Sequence, residues 1–234
     1  LTNHTGYNNN GERNIDLLVQ KGFNIKKIFV PEHGLEGTFG GGERMENSTY
    51  EKYSIPIVPI YDEKMILSPS VFDEIDLFVY DIQDVGARFF TYISTLRSVM
   101  ITIANNSSLQ IPVIVLDRPT FLGNSHQGTL PDELGFLSPD FIPIRYGLTP
   151  GEFTKFVKEK HNLKIELEII EMENYLSKET FNDLDLRFIP PASAIKNYDT
   201  AFVYTGICLL EGTSLSEGRG TDRPFLLFGG PEVD

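Results

Sequence analysis

The chain has 234 residues, 41% hydrophobic and 23% charged, with a net charge of −13. This length and composition describe a folded chain of one large domain or two small ones, able to bury a core without a disulfide or metal. No apolar run approaches the ~20 residues that cross a bilayer, and the acidic balance, with no basic stripe, argues against a nucleic-acid partner.

In chain order, Leu1-Thr2-Asn3 reads as the tail of a strand, and both ends of the sequence read as cut. Residues 14–21 place Ile15, Leu18 and Val19 on one helical face, closed by Gly22. Strands are expected at 25–30, 55–60 and 75–80, then an amphipathic helix at 88–104. Residues 111–116 form a strand rich enough in Val and Ile to be buried on both faces. Thr149, with Glu152 three residues on, opens a helix over 149–161 through a capping box. A strand nearer an edge follows at 164–170 and a helix at 201–210. The alternation of strands and helices predicts an α/β fold with a mainly parallel sheet. Two long loops, 31–54 and 118–146, interrupt it, and loops of that length are usually functional or mobile. Everything before about residue 148 reads as one doubly wound unit, which the remainder can extend.

In such a sheet ligands bind beyond the carboxyl ends of the strands. Three strand ends deliver carboxylates: Glu32 with His33; Asp81 and Asp84, followed by Arg88; and Asp117 with Arg118. Any one of them alone is better explained as a loop anchor, but together with His33 and two arginines they outline a polar site. Near the C-terminus Glu217 and Arg219 lie in a segment dense in glycine and hydroxyl groups, either a ligand loop or a loop stapled by its own ion pair.

Nucleotide readings fail on spacing. Gly40-Gly41-Gly42 lacks the G-x-G-x-x-G phasing and reads as a loop tip, and there is no P-loop. A nucleophile elbow is also missing. Four dispersed histidines and one cysteine, Cys208, supply neither a metal-ligand pair nor a disulfide, so neither metal nor cofactor is expected. Cys208 reads as a small buried hydrophobe.

Five blocks occur in order: 1–6 (LTNHTG), 31–34 (PEHG), 81–92 (DIQDVGARFFTY), 116–119 (LDRP) and 211–221 (EGTSLSEGRGT). Together they resemble the exo-β-N-acetylmuramidase family of bacterial cell-wall recycling, long known as a domain of unknown function, over nearly the whole chain. The resemblance implies a Rossmann-like three-layer sandwich without a dinucleotide fingerprint. It also implies that residues 1–234 are the catalytic N-terminal domain, a smaller C-terminal domain of the family lying outside the chain. The implied activity is a glycosidase that releases non-reducing-terminal N-acetylmuramic acid from peptidoglycan fragments, outside the cytoplasm. The alternative is a muropeptide-binding module without turnover. Two positions depart from the family pattern: Tyr146 stands where relatives have His, and Ala194 where they have Asn.

Glycoside hydrolysis requires a proton donor and a second group at the anomeric centre. Glu32, following an apolar strand, is the expected donor, its pKa raised by partial burial, with His33 orienting it or binding sugar hydroxyls. Asp81, Asp84, Asp117 and Glu217 are alternatives for the second group, as is the acetamido oxygen of the substrate itself. Arg88, Arg118 and Arg219 are expected to meet the lactyl carboxylate, and Tyr92 and Phe39 to stack on the sugar, although Tyr92 is equally well explained as core.

Overall fold

A computed structural model describes residues 1–40, 42–62, 64–231 and 233. The elements are α1 (Asn14–Gln20), β1 (Ile28–Val30), β2 (Ser48–Tyr50), β3 (Ile55–Pro59), β4 (Phe78–Tyr80), α2 (Tyr92–Asn105), β5 (Val113–Leu116), α3 (Pro150–Lys160), β6 (Leu167–Ile170) and α4 (Tyr198–Ile207). Two three-stranded ladders, ordered β1-β3-β2 and β4-β5-β6, hold the strands. Every pairing in them is parallel except β2 on β3.

Residues 1–3 join the ladders. The Thr2 N–H donates to the Phe29 carbonyl at 3.0 Å, the Asp81 N–H to the Leu1 carbonyl at 3.0 Å, and Thr2 bridges Asp81 in parallel. The order across the molecule is therefore β2-β3-β1, residues 1–3, β4-β5-β6. Strands are added outward in both directions from residues 1–3. That reversal is the topological switch point of a doubly wound sheet, and the crevice for a ligand opens there.

The pleat of β1 shows the layers, since successive side chains of a strand point to opposite faces. Ile28 and Val30 pack with Ile15 of α1, Leu35 and Ile55, whereas Phe29 joins the main core. That core gathers Phe78 and Tyr80 of β4, Val113 and Val115 of β5, Ile93, Leu96 and Met100 of α2, and Phe153 and Val157 of α3. One helix on one face and two on the other make the Rossmann-like sandwich. Tyr204 of α4 closes the far side, edge-on to Phe225 with ring centroids 4.8 Å apart.

Several elements differ from their sequence-based extents. β1 begins at Ile28 and β4 at Phe78, because the residues before them lie beyond the reach of the parallel partners. α2 begins at Tyr92 instead of Arg88: Gly86 turns the chain with φ +89°, and the Arg88 N–H is taken by the Ile144 carbonyl at 2.7 Å. β5 is not buried on both faces; Val113 and Val115 are buried while Ile114 and Leu116 are half-buried. The hairpin strand β2 lies inside the 31–54 loop, where its mostly exposed Ser-Thr-Tyr carries no apolar alternation. α3 starts as the sequence indicates, with the complete Thr149–Glu152 capping box. α4 runs from Tyr198, capped by the Asn197 side chain, which accepts from the Thr200 N–H at 2.9 Å. Cys208 follows it and is half-buried, its thiol pushed up to about 12 by burial.

Candidate active site

β1 ends at Val30, and Pro31, Glu32 and His33 follow directly past its carboxyl end. His33 and Gly34 both adopt left-handed backbone, with φ +74° and +73°. For a histidine this conformation is uncommon and costs energy; it folds the 31–54 loop back on itself. The His33 Nδ1–H donates to the Phe39 carbonyl at 2.8 Å.

Glu32 is half-buried and both of its oxygens accept hydrogen bonds. Oε1 takes the Gly42 N–H at 3.0 Å and Oε2 the Thr91 hydroxyl at 2.8 Å. Gly42 reaches this position with φ +73°, which a glycine adopts without penalty. The glycine run that reads as a loop tip thus also supplies a donor to the site. Phe39, 40% exposed, lies against Gly34 in the same loop.

Residues 3–5 leave the central strand next to β1. The His4 Nε2–H donates to the Pro190 carbonyl at 2.6 Å, its buried Nδ1 has no partner, and burial lowers its pKa, so it stands as a neutral ring. Thr5 accepts the Gln83 N–H at 2.9 Å. Neither His4 nor Thr91 stood out in the sequence; the only signal was their presence in the 1–6 and 81–92 blocks.

The other strand-end carboxylates are differently occupied. Asp81, 5% exposed, accepts from the Arg118 Nε–H at 2.5 Å and from the Asn14 amide at 2.8 Å. Arg118 also reaches the Tyr7 carbonyl at 3.2 Å. The Asp117 Oδ1 accepts the N–H groups of Gly151 and Arg118 and its Oδ2 the Thr149 hydroxyl, so it ties β5 to the start of α3; burial raises its pKa. Glu217 takes the Arg219 Nε–H at 2.8 Å, and Arg219 also binds Glu211. This is the stapled-loop arrangement.

Asp84 is sealed in the core. Its Oδ2 accepts from the Gly86 N–H at 2.6 Å and from the Tyr146 hydroxyl, while Oδ1, also buried, has no partner. Burial pushes this carboxyl up to about 7. Tyr146, the phenol at one of the two departures from the family pattern, is fully buried against it. Ala194, at the other, is half-buried on the main core. Tyr92 is fully buried with its hydroxyl on the Pro191 carbonyl at 2.9 Å, which makes it a core residue and no stacking platform. Arg88 donates to the carbonyls of Thr129 and Ile142 at 2.7 and 2.8 Å and is 8% exposed. It holds the 118–146 loop in place and does not face the crevice. Arg187 makes no hydrogen bond or ion pair with a described residue and, with Thr5 and Gln83, lines a cavity of about 50 Å³.

No cluster of three His, Cys, Asp or Glu side chains able to hold a metal occurs among the described residues. No helix among them is long and apolar enough to cross a membrane.

A Rossmann-like α/β protein with a carboxyl group and two imidazoles at its switch point, and no nucleotide loop, is the class that fold and crevice define. Comparison with known proteins names the family. The model for "Exo-beta-N-acetylmuramidase NamZ, N-terminal" matches residues 1–199 and that for its C-terminal part matches residues 202–234. The chain belongs to the NamZ family. It is 33% identical over 237 residues to the peptidoglycan beta-N-acetylmuramidase NamZ of Bacillus subtilis, covering all of this chain but 56% of that protein. Two solved DUF1343 family proteins from Bacteroides fragilis superpose with TM-scores of 0.87 and 0.83, each at 31% identity. This chain is covered to 100% and 98%, and those chains to 60% and 61%.

Proposed function

We propose that this chain carries the acid–base centre of an exo-acting glycosidase that releases terminal β-linked N-acetylmuramic acid from peptidoglycan fragments outside the cytoplasm. Glu32 carries the proposal: a carboxyl just past the end of β1, braced by a hydroxyl and an N–H, half-exposed and followed directly by His33. Glu32 protonates the glycosidic oxygen as the C1–O bond breaks.

The second group in this reading is the substrate's acetamido oxygen, a recognised exception to the two-carboxylate rule. The protein's alternatives support it by their own commitments. Asp81 is paired with Arg118, Asp117 ties down α3, Glu217 holds Arg219, and Asp84 is sealed in the core. The acetamido oxygen bonds to C1 as the leaving oxygen takes the Glu32 proton. Water then attacks C1, gives its proton to the Glu32 carboxylate, and the amide is restored.

The lactyl carboxylate needs a cation. Arg88, Arg118 and Arg219 are engaged elsewhere, so in this reading it meets Arg187, which is exposed and lines the same small cavity as Thr5 and Gln83.

The test is Glu32→Gln assayed on a chromogenic β-muramide, with free muramic acid measured as product. A loss of at least ~100-fold is expected from removal of a general acid. Near-full turnover removes Glu32 from the role, and muropeptide binding without any release by the unaltered chain favours a binding module.

A further inference from the structure

Thr91 is the residue immediately before α2, where a threonine usually turns its hydroxyl onto the first free N–H groups of its own helix. Here it makes no such bond. The hydroxyl donates to Glu32 Oε2, 59 residues away in sequence, at 2.8 Å, and the side chain is buried. A hydroxyl that would otherwise accept from the first N–H groups of its helix instead donates to a carboxyl on a neighbouring loop.

We infer that Thr91 is a positioning residue for Glu32, fixing the plane of its carboxyl and the lone pairs it presents to substrate. This rests on the reading of Glu32 as the proton donor. A carboxyl on a loop has two side-chain torsions to order before its terminal rotation is set, and one hydrogen bond leaves that rotation loose. Two donors on different oxygens fix it: the Gly42 N–H on Oε1 and the Thr91 hydroxyl on Oε2. Each oxygen keeps a further acceptor direction for the reacting proton.

The two donors differ in rigidity. Gly42 belongs to the exposed part of the 31–54 loop. Thr91 is anchored to α2: its carbonyl accepts both the Thr95 N–H at 2.9 Å and the Thr95 hydroxyl at 3.1 Å. In that helix Tyr92, Ile93, Leu96, Val99 and Met100 are fully buried. A catalytic group braced on a rigid element keeps its productive geometry better than one held by loops alone. The hydroxyl also suits a carboxyl that cycles between two states, since it donates to the charged form and can rotate to accept from the neutral one, whereas an N–H only donates.

The experiment compares Thr91→Val and Thr91→Ser on a chromogenic β-muramide, with Glu32→Gln alongside. Valine keeps the shape and removes the hydroxyl; serine keeps the hydroxyl. The expected result is a fall in kcat of about tenfold or more for Thr91→Val with KM within about twofold, and kcat within about threefold of the parent for Thr91→Ser. Should the valine variant fail to fold, Thr91→Ala provides the same contrast with serine. The inference is overturned if the variant lacking the hydroxyl turns over like the parent, if KM changes instead of kcat, or if serine is as damaged as valine. Full activity in Glu32→Gln overturns the underlying reading, and this inference with it. An inactive Glu32→Gln beside an unaffected Thr91→Val overturns only the role of Thr91.

Discussion

The strand ends of the sheet carry two kinds of carboxylate. At the end of β1, Glu32 is held by a hydroxyl and an N–H and stays half open to solvent. At the ends of β4 and β5, Asp81 and Asp117 face a guanidinium, an amide and the start of a helix, with every oxygen engaged. All three look alike in sequence, an acidic residue directly or shortly after an apolar strand. Their partners separate them. A carboxyl held by a hydroxyl and an N–H can exchange a proton with a substrate, whereas one locked to Arg118 or to the first turn of α3 anchors the fold.

Substitutions on the anchoring side should lower stability while leaving the turnover of each folded molecule intact. The largest loss is expected for Asp81→Ala, which leaves the Arg118 guanidinium partly buried without its anion; breaking a buried pair in this way costs ~3–5 kcal/mol. Urea unfolding measures it, and a change within about 0.5 kcal/mol would show that the pair does not anchor the strand ends.

Asp84 yields a pH signature of comparable size. Its carboxyl is near 7 in the fold against an ordinary value of 3.8. The native state therefore holds a proton that the unfolded chain releases, and stability falls as pH rises from about 4 through about 7, by at most ~4 kcal/mol. Asp84→Asn, whose amide oxygen can still accept from Tyr146 and Gly86, should flatten this slope and be more stable than the parent at pH 8. A parent stability that rises across the same interval would contradict the assignment.

On the substrate side, Arg187→Ala should raise KM for muramides by about tenfold, equivalent to ~1.4 kcal/mol, and hardly alter it for N-acetylglucosaminides. An equal effect on both sugars removes Arg187 from lactyl recognition. The smallest change is expected for Thr149→Ala. Loss of the capping box costs ~1 kcal/mol, read from the denaturation midpoint with kcat unchanged.

Much of the fold was legible in the sequence. The apolar runs ending at Val30, Tyr80 and Leu116 mark strand ends to the residue, because each stops where a charged or proline residue begins the loop. The Thr149–Glu152 spacing located the start of α3 for the same local reason. Less local facts were hidden. The distant partners of Asp117 and Asp81 lie 32 to 67 residues away, as in Asp117 with Thr149 and Asp81 with Asn14, and no pattern of neighbouring residues encodes such meetings. Arg88 and Tyr92 looked like site residues because they follow the β4 strand end, yet Gly86 turns the chain so that they point into the loop and the core. Thr91, between them, is the residue of that stretch that reaches Glu32.

The contrast between the two kinds of carboxylate is tested most directly by measuring kcat/KM per folded molecule for Glu32→Gln and Asp117→Asn in one assay on a β-muramide. The account predicts a folded Glu32→Gln protein reduced at least ~100-fold, and an Asp117→Asn protein that is less stable but, where folded, turns over within about threefold of the parent. A folded Asp117→Asn protein without activity, beside a Glu32→Gln protein that still releases muramic acid, would contradict it.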